Sequence, residues 1–168
     1  MLLKFNKTGS VKTPERAHAT DAGIDFYCPP IVEIVENLNS NSANSGITIT
    51  DSTIVIPPGK NAVIPSNIRV EIPYGYMGLF LNKSGVASKK DALIGAQVID
   101  TMYSGIVHVD LHNVGTEDLI IEENMKLSQM VMIPVLSCDL TEVEENQLYD
   151  WMISDKNRGG SGFGSTGK

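Results

Sequence analysis

Alternation of apolar and polar residues with a period of two dominates this chain. Across residues 105–113, Val107, Val109 and Leu111 fall on one face of an extended segment and His108, Asp110 and His112 on the other, because successive strand side chains point to opposite faces. Residues 47–50, 53–56, 67–72, 76–81 and 127–135 also read as strands. Pro29-Pro30, Pro57-Pro58-Gly59, Pro73-Tyr74-Gly75 and Asn113-Val114-Gly115 punctuate them. No segment sustains a 3.6-residue apolar stripe for three turns, and there is no internal repeat. Short strands at close, turn-marked spacing predict an all-β sandwich, jelly roll or barrel.

Two helical fragments are expected within that frame. Residues 84–90 (SGVASKK) open on Ser84, a good N-cap, and predict one short helix. Thr141 and Glu144 have capping-box spacing and could open another. Residues 37–46 (NLNSNSANSG) are almost all Asn and Ser and read as a mobile surface loop.

Composition adds bounds. At 168 residues the chain is expected to form about one domain, with a core large enough to need no disulfide or metal staple. A net charge of −7, from 13 basic and 20 acidic residues, argues against nucleic acid or a membrane surface as partner, since both require clustered Lys and Arg. At first sight it also disfavours any polyanionic ligand. Lys4 follows only two apolar residues after Met1, and Pro134 interrupts the longest apolar stretch, 130–136, so neither a signal peptide nor a membrane helix is expected. Cys28 and Cys138 form no CxxC pattern and suit a reducing cytoplasm.

The last residues are the compositional outlier. Five of the 15 glycines lie in the final ten positions, together with Phe163 and just after Arg158. Glycine gives up the most backbone freedom on ordering, so this arm is expected to take shape only around a ligand. Residues 162–167 satisfy GxGxxG and 162–168 most of GxxxxGK. Both phosphate motifs need a strand before and a helix after, and with Lys168 last no helix is expected to follow.

Candidate chemistry lies in three places. His108, Asp110 and His112 on one strand face could ligate a transition metal, but same-face neighbours stand nearly ~7 Å apart, and a solvated or channel-lining polar face is the better reading. In residues 96–107 (AQVIDTMYSGIV), Asp100 follows Val98-Ile99 and precedes Tyr103 by three; alone it reads as a turn-former. Around it stand Ala22-Gly23-Ile24-Asp25, Lys83-Ser84-Gly85-Val86-Ala87, Lys126-Leu127-Ser128-Gln129 and the glycine arm.

Those five pieces, in that order, resemble the five motifs of the homotrimeric dUTP pyrophosphatase (dUTPase) family, over nearly the whole chain. The resemblance implies a jelly-roll-like β-barrel subunit over residues 1–154, with a C-terminal arm over 155–168 closing an active site at a subunit interface of a trimer. It implies Mg²⁺-dependent hydrolysis of dUTP to dUMP and pyrophosphate in the cytoplasm of a bacterium or a virus-infected or phage-infected host, keeping uracil out of DNA. Asp100 corresponds to the base that deprotonates the attacking water. Tyr103 corresponds to the ring beneath the deoxyribose, which leaves no room for a 2′-hydroxyl. Gln97, Val98 and Ile99, in a hairpin returning through His108, correspond to the segment that reads uracil. Lys83, Ser84, Gly85 and Gln129 correspond to phosphate contacts, Arg158 to the γ-phosphate clamp, and Phe163 with Gly164 to the stacking lid. Asp25 corresponds to the holder of a Mg²⁺-bound water.

Lys83 stands where the family pattern has Arg, and Asn124-Met125-Lys126 where it has Gly-Asp-Arg; lysine keeps charge without the bidentate fork. Ser104 replaces a long polar side chain, and residues 33–52, centred on 36–47, form an insertion. The acidic bulk then says little about one small site, where backbone N–H groups, Arg158, Lys83 and Mg²⁺ meet one triphosphate; scarce fixed cations predict heavy dependence on Mg²⁺. Two rival readings are a relative of the dCTP deaminases and a nucleotide-gated switch that docks a regulatory protein through the 37–46 loop.

Overall fold

A computed structural model describes residues 2–149. In chain order the elements are β1 (Lys4–Lys7), β2 (Ile24–Tyr27), α1 (Ile31–Ser40), β3 (Thr48–Ile49), β4 (Thr53–Ile56), β5 (Asn61–Pro65) and β6 (Ile68–Glu71). There follow β7 (Tyr76–Leu81), α2 (Ser84–Lys90), β8 (Ala92–Ile94), β9 (Val98–Ile99), β10 (His108–Asn113), β11 (Leu119–Glu122) and β12 (Lys126–Pro134). All pairings are antiparallel, in sheets ordered β2-β12-β7-β9, β5-β10-β8, β11-β4-β3 and β1-β6. The unit spanning residues 1–136 is thus mostly β and jelly-roll-like. The unit spanning residues 137–168 contributes, among its described residues, one 3₁₀ turn, Glu145–Gln147. Among the described residues no helix is long and apolar enough to cross a membrane.

The period-two pattern is realised in β10, where Val109 and Leu111 are fully buried and His108, Asp110 and His112 lie half-buried on the other face. Phe26 of β2 meets Phe80 of β7 edge to face at 5.0 Å, and Ile54, Ile56, Ile64, Ile121 and Leu127 complete a dry interior. Dispersion and burial of this kind carry most of the fold's stability. Cys28 is buried among them, and burial together with the Glu123 charge pushes its thiol up to about 12, so it stays protonated and unreactive.

Three local expectations are corrected. Residues 31–40 form α1, a helix beyond the two fragments expected, burying Ile31, Ile34 and Leu38. That i, i+3, i+7 stripe is two turns long, too short to stand out from the alternation around it. The Asn/Ser stretch is therefore no simple surface loop: it supplies the last turn of α1 and the 3₁₀ turn Ser42–Asn44. Asn44 is buried; its amide donates to Leu38 O at 3.0 Å and its carbonyl accepts from Val63 N–H at 2.7 Å, tying α1 to β5. At α2 the N-cap is Lys83, and Ser84 is the first helical residue. The expected start at Thr141 is displaced: Glu144 and Gln147 form the capping box, around a single 3₁₀ turn.

One irregularity positions the site. In the β2–β12 ladder Gln129 pairs with Asp25 and Ser128 with Phe26, but Lys126, not Leu127, pairs with Tyr27. A β-bulge inserts the extra residue. Directly opposed residues share a face, so the bulge delivers Lys126 to the face carrying Asp25 and Tyr27, while Leu127 enters the core.

Candidate active site

The first cluster gathers where β2, β7 and β12 meet the start of α2. Asp25 has a side chain only 2% exposed, with Lys83 Nζ 2.6 Å from Oδ1 and Lys126 Nζ 2.7 Å from Oδ2. Burial pushes its carboxyl up, but the adjoining Lys126 and Lys83 ammoniums outweigh burial and hold it below the usual carboxylate range. Asp25 in turn raises Lys126. Lys83 donates an aligned hydrogen bond to Oδ1. Lys126 sits off-line, so Oδ2 is buried without accepting an aligned hydrogen bond. Beside this triad, Lys12 pairs with Glu15 at 2.8 Å and lies over the Tyr27 ring, whose hydroxyl donates to Glu15 Oε1.

Gln129 projects from β12 on the Asp25 face and donates to Asn82 O at 2.9 Å. A Cβ at Gly23 would collide with the Gln129 amide, which explains the glycine two residues before Asp25. The Asn82 side chain accepts from Ile94 N–H at 2.8 Å, fixing the turn from β7 into α2. Ser84 and Gly85 open α2, and nothing within 4 Å would meet a Cβ at Gly85, so the space above that backbone is open. Lysine ammoniums, an amide, a hydroxyl and backbone N–H groups of the first helical turn together form a surface suited to phosphate oxygens.

The second cluster lies after β9. Val98 and Ile99 pair with Leu79 and Gly78, and Gln97 O accepts from Phe80 N–H at 2.8 Å. β9 is an edge strand, so its outward backbone groups face no strand partner and can read a planar ring with donors and acceptors. Asp100 is exposed and starts a tight turn, in which Tyr103 N–H reaches Asp100 O at 3.3 Å and Met102 has φ 67°. The Tyr103 hydroxyl donates to Ile106 O at 2.9 Å, and His108 Nδ1 lies 2.8 Å from the same oxygen. Gly105 is required because a Cβ there would strike the Tyr103 ring. Tyr103 is anchored at its hydroxyl and stays 43% exposed, which leaves ring surface open to a ligand.

Asp100 and the lysine cradle lie toward opposite ends of β7. Asp100 follows the residue opposite Gly78, whereas Lys83 lies beyond the far end of β7. The intervening run of about six residues corresponds to roughly 20 Å of strand. Asp110, grouped by sequence with His108 and His112, is engaged elsewhere: it accepts from Asn61 at 2.8 Å and Ala96 N–H at 3.2 Å, and lies 3.1 Å from His112 Nε2. Among the described residues no three His, Cys, Asp or Glu side chains form a metal-ligating group. Arg158, Phe163 and Gly164 lie outside the described residues. Lys126, which the sequence shows only as part of its motif, gains a place beside Asp25 from the structure; nothing in the Lys126-Leu127-Ser128 order announces the bulge that turns it inward.

Comparison with known proteins identifies the family. The dUTPase family model matches residues 32–167. A deoxyuridine 5′-triphosphate nucleotidohydrolase of Rhizobium etli is 37% identical over 119 residues, covering 70% of this chain and 72% of that protein. The dUTPase of Staphylococcus bacteriophage 80alpha with dUPNHPP superimposes with a TM-score of 0.75 at 26% identity, over 99% of both chains. It is among the phage dUTPases described as controlling transfer of virulence genes by a proto-oncogenic G protein-like mechanism. A point mutant of the dUTPase from phage phi11 of S. aureus, described as revealing the coordination of a structural Mg(II) ion, matches with a TM-score of 0.67 at 26% identity, over 86% of this chain and 98% of that one. An edge strand followed by an Asp-Tyr turn, a lysine and amide cradle, and a match across four-fifths of its length place the chain in the dUTPase family.

Proposed function

We propose that this protein hydrolyses dUTP to dUMP and pyrophosphate, at sites shared between copies of a homotrimer. The observation that carries this reading is the separation of the two clusters along β7. One presents a ring-reading strand edge, a tyrosine ring and an exposed carboxylate, and the other a cationic cradle. Each is half of a nucleoside triphosphate site, and a second copy supplies the missing half.

Uracil lies against the outer edge of β9, where backbone groups of Val98 and Ile99, with Gln97 and His108 nearby, match its acceptor–donor–acceptor edge. Cytosine reverses two of those three, and a mispaired buried polar group costs about 1–3 kcal/mol. Deoxyribose rests on the open surface of Tyr103, which leaves no space for a 2′-hydroxyl. Ser84, Gly85, Lys83, Lys126 and Gln129 bind phosphate oxygens. Arg158 clamps the terminal phosphate and Phe163, beside Gly164, stacks on the base as the arm over 155–168 closes and excludes water. Asp100 orients a water and accepts its proton as the oxygen attacks the α-phosphorus; the bond from that phosphorus to the bridging oxygen breaks, and pyrophosphate leaves.

The Asp25 carboxylate suits an outer-sphere role toward Mg²⁺, since Oδ2 is buried without an aligned donor and can accept from a metal-bound water. When bound, Mg²⁺ offsets the charge of the triphosphate. The buried Cys28 and free Cys138 suit a reducing cytoplasm. A second role, docking of a regulatory protein through the 37–46 loop, is supported by the likeness to a phage dUTPase described as controlling transfer of virulence genes.

Pyrophosphate release from dUTP, with UTP and dCTP as competitors and the full chain as enzyme, tests the main reading. Selective release from dUTP supports it. Ammonia release from dCTP, or equal turnover of UTP, overturns it.

A further inference from the structure

We propose that Lys83 and Lys126 bar a bare divalent cation from Asp25, so that metal binding at this carboxylate is conditional on the polyphosphate; the proposal rests on the triphosphate reading of the cradle.

Both oxygens of the Asp25 carboxylate face ammonium groups, at 2.6 and 2.7 Å. The neighbouring Lys12 and Glu15 cancel each other. One carboxylate against two ammoniums leaves a local charge of +1. A dication approaching Asp25 therefore meets net repulsion, at a carboxylate so buried that salt screens little.

A polyphosphate reverses the balance. Its oxygens compete for both ammoniums, which sit on flexible stems 22% and 41% exposed and can swing outward while keeping their charge satisfied. The buried carboxylate is then free to accept from the hydration shell of a metal arriving with the phosphates. Oδ2 is the atom prepared for that exchange, since the Lys126 contact is off-line. Lysine suits this role better than arginine, because a point charge on a single nitrogen releases a carboxylate more readily than a two-pronged guanidinium. That gives a physical reason for the two lysines that stand at positions where the family pattern has arginine.

The test uses the full chain with Mn²⁺ as the metal probe, its free concentration followed by electron paramagnetic resonance. Without nucleotide, the wild-type protein leaves Mn²⁺ free. With α,β-imido-dUTP it takes up Mn²⁺ beyond that held by the nucleotide alone, and Asp25→Asn loses this uptake. Lys126→Gln takes up Mn²⁺ without nucleotide at least about tenfold more tightly than wild type, and the double variant with Asp25→Asn loses the gain. Lys83→Gln provides the same comparison should Lys126→Gln fail to fold, and the wild-type arm needs no variant. Nucleotide-independent uptake by wild type that Asp25→Asn removes overturns the proposal, as does unchanged Mn²⁺ affinity in a folded lysine variant. Pyrophosphate release from dUTP by the same wild-type preparation keeps the two readings apart. Hydrolysis with nucleotide-independent Mn²⁺ uptake rejects the lysine gate alone, whereas absence of hydrolysis rejects the functional reading.

Discussion

Lys126 stands opposite Tyr27 in the β2–β12 ladder, one position out of the register that pairs Gln129 with Asp25. This slip brings a second ammonium to a buried carboxylate, and the stability of the cradle depends on it. Replacing Asp25 by Asn leaves two ammoniums facing each other without a counter-charge. Breaking a buried pair by removing one partner costs roughly 3–5 kcal/mol; with Lys126 41% exposed, a loss of about 2 kcal/mol is expected. Urea unfolding at fixed protein concentration measures it, and no change in midpoint would show that the triad is not structural.

The same triad sets a pH dependence. Asp25 lies below the usual carboxylate range in the folded chain because Lys126 and Lys83 outweigh burial. A carboxylate with a depressed folded value contributes fully above its unfolded value of about 3.9, and loses that contribution as pH falls toward the folded value. The gap between wild type and Asp25→Asn is therefore largest near pH 6 and shrinks below about pH 4. Unfolding midpoints measured from about pH 6 down to about pH 3 decide the matter, and a gap that stays constant across that span contradicts the assignment.

Asp100 is exposed at a turn and supports neither the core nor the cradle. Asp100→Asn is expected to preserve the Tm within about 1 °C and the affinity for α,β-imido-dUTP within severalfold. Pyrophosphate release should fall by about 10²–10⁴, the range of a lost general base. Turnover within a factor of about ten of wild type would require another base.

Tyr103 and Gly105 act as a pair. The ring is held by its hydroxyl on Ile106 O and by the absence of a Cβ at Gly105. Gly105→Ala displaces the ring without altering its chemistry, so discrimination between dUTP and UTP should weaken by about tenfold, close to 1.4 kcal/mol. Tyr103→Phe, which keeps the ring and loses one hydrogen bond worth about 1 kcal/mol, should keep most of that discrimination. The ratio of kcat/KM for the two nucleotides is the readout.

Six of the twelve described strands (β3, β4, β6, β7, β10 and β12) were legible because burial on one face imposes alternation directly on the residues: Val107, Val109 and Leu111 are buried as the pattern predicts. β2, buried on both faces, and the two-residue β9 offer no such alternation. The Asp-Tyr turn and the glycine before Asp25 were legible as motifs, since close approach at Gly105 and Gly23 restricts which residues fit. The lysine-serine-glycine start of α2 was legible by its order among the other motifs. What the one-dimensional pattern does not carry is register. Lys126 enters the cradle only through a bulge, and a bulge depends on how β12 fits both β2 and β7. Likewise Ser84 falls just inside α2 with Lys83 at the N-cap, a one-residue shift that N-cap preference alone does not carry.

The insertion illustrates the same limit and gives a further prediction. Asn and Ser usually mark loops because their side chains compete for backbone groups. Asn44 uses that competition to build structure, bridging Leu38 O in the last turn of α1 and Val63 N–H of β5 from a buried position. Asn44→Ala leaves a buried donor and acceptor unsatisfied, each costing about 1–3 kcal/mol, so a loss of roughly 2–3 kcal/mol is expected. Ser42→Ala, two residues past the end of α1 and exposed, should cost under about 0.5 kcal/mol, the range of ordinary surface changes. Because α1 packs Ile31, Ile34 and Leu38 against the interior, the Asn44→Ala loss should appear in global unfolding rather than as local fraying of the insertion. Hydrogen exchange at Val63 N–H separates the two: protection that falls with the global midpoint supports a folded, integral insertion, while exchange confined to residues 37–46 would mean that the strands hold without it.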